Sequence, residues 1–180
     1  MGTKFSTRVW VSVVGIASIF FGSKGYADTV ISVADFGLKP DTRENAVAYV
    51  QKAIEACRGK EPVTLVFPEG RYDFWPQYAH EKNYYETNTY DVFPKRLAML
   101  FEGLHNITVD GNGSQFVMHD RIQPITVENC DGVTLKNFSI DWDIPLTAQA
   151  RVTKVGSDFF EIEINVLESP YIIEDGKLVF

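Results

Sequence analysis

Residues 101–145, FEGLHNITVDGNGSQFVMHDRIQPITVENCDGVTLKNFSIDWDIP, contain a self-similarity from which the rest of the chain can be read. Glu102, Ile107, Val109 and Gly111 lie over Glu128, Val133, Leu135 and Asn137 at one constant offset. The apolar members of each copy alternate, as they do on a strand, and each copy closes on Gly or Asn, residues that tolerate a left-handed turn. Two more strand-like runs, 116–118 and 125–127, fall between the copies. Short strands, turn residues at fixed offsets and a period in the twenties are the pattern of a solenoid whose coils stack strand on strand. The expected fold is all-β, a right-handed parallel β-helix. A β-sandwich matching itself by chance is the alternative that two copies leave open.

Upstream, residues 29–33 (TVISV) read as an entering strand and Asp35-Phe36-Gly37 as a turn. Asp41 with Glu44 has the form of a helix capping box. Ala46, Val47, Val50, Ala53, Ile54 and Cys57 then recur every three to four residues, the apolar stripe of an amphipathic helix. The spacing predicts a helix over 42–57, stopped by Gly59. Residues 63–67 (VTLVF) predict another strand, with Pro68 and Gly70 turning the chain. A helix placed there would cover the open first coil of a solenoid.

These residues resemble the N-terminal cap of the pectate-lyase-like β-helix superfamily. Asp35-Phe36-Gly37, Gln51 with Ala53-Ile54, and Val66, Pro68, Gly70 and Tyr72 stand where that cap has its turn, helix and strand. The resemblance implies the fold and leaves the chemistry open, since the cap heads lyases, hydrolases, epimerases and tailspikes alike.

Residues 1–27 are expected to lie outside the fold. Lys4 and Arg8 precede an apolar run at 9–22, and Gly25-Tyr26-Ala27 follows with small residues at the cleavage positions. The run is short for a membrane span, and no Cys follows it to take a lipid. This predicts a cleaved signal peptide over 1–27, a secreted or periplasmic protein, and no membrane insertion after cleavage. Three of the 17 basic residues and none of the 24 acidic ones fall in that segment, so the remainder carries 14 against 24, net −10. Such a field repels nucleic acid and polyanionic substrates, and neutral sugars or peptides fit better. Cys57 and Cys130 would reach a compartment where they could pair. Each sits among apolar neighbours, which favours two buried thiols.

Residues 71–95 interrupt the coils and concentrate aromatic residues: Tyr72, Phe74, Trp75, Tyr78, Tyr84, Tyr85, Tyr90 and Phe93. Aromatic faces on a loop held by a rigid scaffold can stack on the C–H faces of sugars, and equally can pack the loop against its coil. Trp75 is the one singled out for the first role. Past Pro145 the pattern changes to antiparallel hairpins: 151–155 with 159–164 around Gly156-Ser157-Asp158, then two more strand-like pieces. The domains read as 1–27 signal peptide, 28–147 cap and first coils, and 148–180 the start of an antiparallel, barrel-like insertion. The sequence stops at Phe180 in mid-strand without a polar tail, and the expectation is the front portion of a longer protein.

Ser139 to Pro145 hold the sharpest constellation. On an alternating strand Asp141 and Asp143 share a side, with Trp142 opposite. Same-side neighbours stand roughly 7 Å apart along a strand, within the range of roughly 6.5–9.5 Å that inverting glycosidases use. Two nearby carboxylates can also differ in pKa, as acid/base cleavage requires. The plainer reading is that both cap turns at the exit of the coil. His119-Asp120-Arg121 is a second polar cluster that could form a site, but a hydrated turn is the favoured reading, and His80, His105 and His119 read as isolated surface or turn residues. Nothing has the spacing of a metal site, phosphate loop or Ser–His–Asp set.

GRYDFWPQ (70–77), NTYDVFPKRLAMLFEGLHNITVDGNGS (88–114) and LKNFSIDWDIPLTAQ (135–149) resemble the N-terminal third of the family 110 α-1,3-galactosidases. The resemblance covers residues 28–180. It implies an exported bacterial exo-glycosidase that removes terminal α-1,3-linked galactose, as in blood-group B glycans, with inversion and without a cofactor. It also implies a parallel β-helix bearing small β-barrel insertions. The family's catalytic aspartates fall beyond residue 180, so no residue here inherits a catalytic role. Asp141, Trp142, Asp143 and Trp75 are the expected substrate-binding residues, with a galactose-terminated glycan as partner. A polygalacturonase- or lyase-like enzyme, or a non-enzymatic carbohydrate-binding β-helix, is the alternative.

Overall fold

The computed structural model describes residues 29–84 and 94–180. The expected signal peptide lies outside these residues, as do Tyr85, Tyr90 and Phe93 of the aromatic stretch.

The protein is all-β, with one α-helix among the described residues. Strands β1 (Thr29–Ser32), β2 (Val63–Val66), β3 (Arg71–Phe74), β4 (His80–Lys82), β5 (Lys95–Glu102), β6 (His105–Met118), β7 (Gln123–Glu128) and β8 (Asp131–Trp142) come first, with helix α1 (Val47–Cys57) between β1 and β2. The antiparallel pairs β9 (Ala150–Val155) with β10 (Phe160–Ile164), and β11 (Ile172–Glu174) with β12 (Lys177–Val179), follow.

The strands up to β8 form three stacks, parallel throughout apart from β4. One runs β1, β2, the first half of β6 and the first half of β8. A second runs β3 and the second halves of β6 and β8. β5 and β7 make the third, with β4 antiparallel on its edge. The overlay found in the sequence is the register itself. Ile107 lies beside Val133 and Val109 beside Leu135, while Met99 lies beside Ile125 and Phe101 beside Val127 in the neighbouring stack.

The register breaks once, at the corner inside β6 and β8, where Asp110 pairs Lys136 but Ser114 already pairs Phe138. Gly111, Asn112 and Gly113 turn the inner corner, and Asn137 alone turns the outer. The left-handed positions are Asn112, Gly113 and Asn137, with φ of 49°, 85° and 59°. Gly111 is needed for a different reason than the turn expected there. A Cβ on it would come within 2.5 Å of the Phe138 Cβ and 2.7 Å of the Asn137 carbonyl oxygen.

The core lies between the stacks and under α1. Val47, Val50, Ala53, Ile54 and Cys57 are buried, on the face the sequence period marked. That face lies against β1, β2 and β5, and each of its larger side chains contributes about 1.5–3 kcal/mol by leaving water. Phe67, Tyr72, Phe74 and Phe116 form an aromatic cluster whose ring centroids with Phe116 lie 4.7–6.2 Å apart. Tyr72 and Phe74 are therefore core strand residues; the interruption starts after them.

The helix starts at Val47, later than the capping-box pattern predicts. Asp41 takes a left-handed φ of 62° and accepts a hydrogen bond from the Arg71 amide at 2.9 Å. That tertiary partner displaces the local cap. Near the actual start, Asn45 Oδ1 accepts from the Val47 amide at 3.1 Å. The two cysteines are free thiols, Cys57 buried and Cys130 partly so. Cys57 donates to the Ala53 carbonyl at 3.2 Å, and burial pushes its pKa up to about 11.

Candidate functional site

The parallel ladder of β3, β6 and β8 continues one residue past the strands. The His119 amide donates to the Phe74 carbonyl at 2.9 Å, and the Asp143 amide to the Met118 carbonyl at 3.0 Å. Trp75, His119 and Asp143 consequently occupy equivalent places in three successive layers. Side chains at equivalent places stack on one another. The Trp75 and His119 rings lie 3.9 Å apart and 6° from parallel, and His119 Nδ1 stands 3.7 Å from Asp143 Oδ2.

Trp75 is fixed from behind. Its amide donates to Asn45 Oδ1 at 3.2 Å, and Asn45 Nδ2 donates to the Gln77 carbonyl at 3.0 Å. One Asn thus serves the helix start and the indole backbone together.

Asp73 anchors the group. Its carboxylate has no exposed surface and receives Arg71 through Nε at 3.1 and 3.0 Å and through Nη2 at 2.6 Å. His119 Nε2 stands 2.8 Å from the same carboxylate, and Arg43 approaches to 3.8 Å. Burial works to raise the Asp73 pKa, but the hydrogen bonds from Arg71 and His119 outweigh it and hold the carboxyl below its ordinary value. Arg71 also reaches Asp143 Oδ1 at 3.1 Å. A buried anion flanked by an arginine and an imidazole makes a rigid base, on which the half-exposed Asp143 is presented.

Of the four expected contact residues, the structure brings Trp75 and Asp143 into one cluster through His119. Asp141 stands on the outward face beside it, exposed, accepting a hydrogen bond from the Trp142 amide at 2.8 Å. Trp142 is turned the other way: it is the ladder partner of buried Met118 and packs against the core. The alternation argument placed it opposite the two aspartates, and that side is the interior.

His119 is the residue the sequence misplaced. As an isolated histidine beside Asp and Arg it read as a hydrated turn; its partners, Asp73 and Asp143, lie far off along the chain in either direction. Asp120 and Arg121 remain exposed turn residues. Arg71 and Asp73 were hidden too, inside a strand read for its aromatics.

A second polar group lies on the third stack. Glu102 and Glu128 are ladder neighbours, and Lys82 Nζ bridges them at 2.8 Å to each. The Tyr84 hydroxyl donates to Glu128. Hydrogen bonds from Lys82 first, and Tyr84 next, hold the Glu128 carboxyl below its usual range. Two like charges set side by side by the repeat are bridged by one lysine, which offsets their repulsion, a structural arrangement.

No protein-family model matches the chain. Among curated proteins it is 60% identical over 154 residues to an alpha-1,3-galactosidase B of Bacteroides thetaiotaomicron, an alignment that covers 86% of this chain and 25% of that protein. It is 36% identical over 151 residues to alpha-1,3-galactosidase A of Shewanella woodyi, covering 83% and 25%. To an alpha-1,3-galactosidase B of Phocaeicola vulgatus it is 36% identical over 159 residues, covering 86% and 25%. The chain spans about a quarter of the length of these relatives and matches their N-terminal portion.

Proposed function

We propose that this homologue of the N-terminal quarter of the alpha-1,3-galactosidases serves in a longer glycoside hydrolase that removes terminal α-1,3-linked galactose from glycans. The observation that carries the reading is the 60% identity over 86% of the chain to one protein of that name. The architecture we infer for it is a right-handed parallel β-helix. Three stacks of parallel strands in a repeating register support that architecture, and β9–β12 open a small antiparallel insertion on it. The chain is exported, on the strength of the basic and apolar pattern of residues 1–27, to the periplasm or the medium.

Within that enzyme, Trp75, Asp141 and Asp143 contact the glycan and Trp142 supports them from the interior. A stacked aromatic, an arginine-held carboxylate and a net acidic surface suit a neutral sugar. Acid/base chemistry belongs to other residues of the longer protein, and the anomeric outcome is inversion. The polygalacturonase- or lyase-like alternative would require a basic groove for polyuronate, for which the net charge of −10 in residues 28–180 gives no support.

The test is made on the longer protein, offered the blood-group B trisaccharide, with NMR of the fresh product. Released β-galactose is the expected result. Initial α-galactose would remove the inverting mechanism, and no galactose release from any α-1,3-galactoside would remove the reading itself.

A further inference from the structure

His119 has one ring nitrogen committed to a buried partner and the other turned toward the half-exposed Asp143. Asp73 is held ionised by Arg71, and an ionised carboxylate only accepts hydrogen bonds. The 2.8 Å contact therefore requires His119 Nε2 to carry a proton. In the neutral imidazole the other nitrogen, Nδ1, is then a bare acceptor. It faces Asp143 Oδ2 at 3.7 Å, beyond hydrogen-bond distance. The other Asp143 oxygen is taken by Arg71 at 3.1 Å, which fixes the carboxylate and leaves Oδ2 unclaimed among the described residues. Two acceptors are thus held side by side at the edge of the Trp75–His119 stack. The charged groups around them are Asp73, Arg71, Arg43 and Asp143 itself.

We propose that His119 Nδ1 and Asp143 Oδ2 form a paired acceptor that receives two hydroxyl protons of a sugar, making His119 a substrate-binding residue. Hydroxyls on adjacent ring carbons diverge enough to give one proton to each acceptor, and donor-to-acceptor lengths of about 2.8 Å suit both. Asp73 and Arg71 are positioning residues: one sets the tautomer of His119, the other the rotation of the Asp143 carboxylate. Such a pair rejects an analogue lacking either hydroxyl, because an acceptor would be left unpaired. The assignment rests on the galactoside reading only for the identity of the sugar.

The experiment uses the longer protein, uniformly labelled with nitrogen-15, with long-range imidazole spectra recorded before and during titration with methyl α-D-galactopyranoside. His119 is expected to show a protonated Nε2 and a bare Nδ1, a doubly protonated ring overturning the proposal, and the Nδ1 resonance should move saturably with the sugar. Asp143→Asn, which replaces an acceptor by a donor-bearing amide, should keep the tautomer and weaken the sugar response about tenfold or more. His119→Phe, which keeps a ring against Trp75, should abolish binding. A bare Nε2, an Nδ1 resonance that ignores the sugar, or unchanged affinity in Asp143→Asn would overturn the proposal. An equal response to methyl α-D-glucopyranoside upholds the acceptor pair while removing galactose as its particular ligand.

Discussion

Val109 and Leu135 are neighbours in one ladder, as are Phe116 and Ile140, and all four project toward the interior. Val109 is 1% exposed and Leu135 40%; Phe116 is buried completely and Ile140 is 37% exposed. The two layers share residue types, pairing and register and differ only in position. β6 has β2 and β3 on one side and β8 on the other, whereas among the described residues nothing pairs with the far edge of β8. In a stack the burial of a layer comes from its neighbours more than from its own pattern. The same holds past β8. Every buried apolar residue among those described has been passed by then, and the β9–β10 hairpin exposes Val155 and Phe160, as the turn after it does Leu167.

The largest expected effect tests that comparison directly. Phe116→Ala removes a ring packed among Phe67, Tyr72, Phe74 and Phe138 and should cost about 3–5 kcal/mol in a urea titration of this chain. Ile140→Ala, one layer out, should cost about 1–2 kcal/mol, because much of its surface is already wet. Equal losses would break the comparison. They would mean that the outer layer is covered in solution, and a concentration-dependent midpoint for Ile140→Ala would identify the cover as a second copy.

Next comes the buried ion group. Asp73→Asn leaves Arg71 only the half-exposed Asp143 as counter-charge in a mostly buried setting, and a loss of about 2–4 kcal/mol at neutral pH is expected. The pH dependence has a definite sign. The folded pKa of Asp73 lies below its unfolded value, so its contribution is fully present above the unfolded carboxylate pKa of about 3.9 and is lost as pH falls through the folded value. The gap between wild type and Asp73→Asn should therefore narrow in acid, below about pH 4. A gap that widened there would show the carboxyl to be protonated in the fold.

The layers also explain what the sequence displayed and what it concealed. Where two layers have the same length, equivalent residues recur at a constant interval, so Ile107 and Val133 could be matched by eye. Trp75, His119 and Asp143 are equivalent in the same sense, but the first interval is far longer than the second. The aromatic stretch lengthens one layer, and the shorter corner at Asn137 trims another. No fixed-period comparison brings them together. Helix α1 was legible from its stripe, yet its start was not, because the Asp41 side chain is taken by Arg71 from another strand. Trp142 illustrates the remaining ambiguity. Alternation separates it from its neighbouring aspartates without saying which side faces water.

A smaller effect is expected at the corner that sets those intervals. Asn137 holds a left-handed φ of 59° and donates to Asp110 at 3.0 Å. Both Asn137→Ala and Asn137→Gly lose that hydrogen bond, so their difference isolates the backbone term. Alanine should be less stable than glycine by about 1 kcal/mol. No difference would mean that the outer layer relaxes its corner freely, and that its register is held by the inner layer alone.

The smallest effect returns to the two regions through one kind of pair. Arg71 with Asp73 and Arg151 with Glu163 are both arginine–carboxylate contacts between strand residues. The first sits on a carboxylate with no exposed surface. The second joins side chains 77% and 61% exposed on the hairpin of β9 and β10, where Arg151 and Glu163 are register partners. In water the attraction is weakened by the solvent, and ordering two long side chains consumes much of what remains. A double-mutant cycle with Arg151→Ala and Glu163→Ala should give a coupling of about 0.5 kcal/mol or less, falling further with added salt. The Arg71–Asp73 cycle should give several times that and change little with salt, because no counter-ion reaches the buried carboxylate. If the two cycles agreed in size and salt response, the hairpin would be as well shielded as the stack, and the contrast between the regions would fail at the level of charge as well as packing.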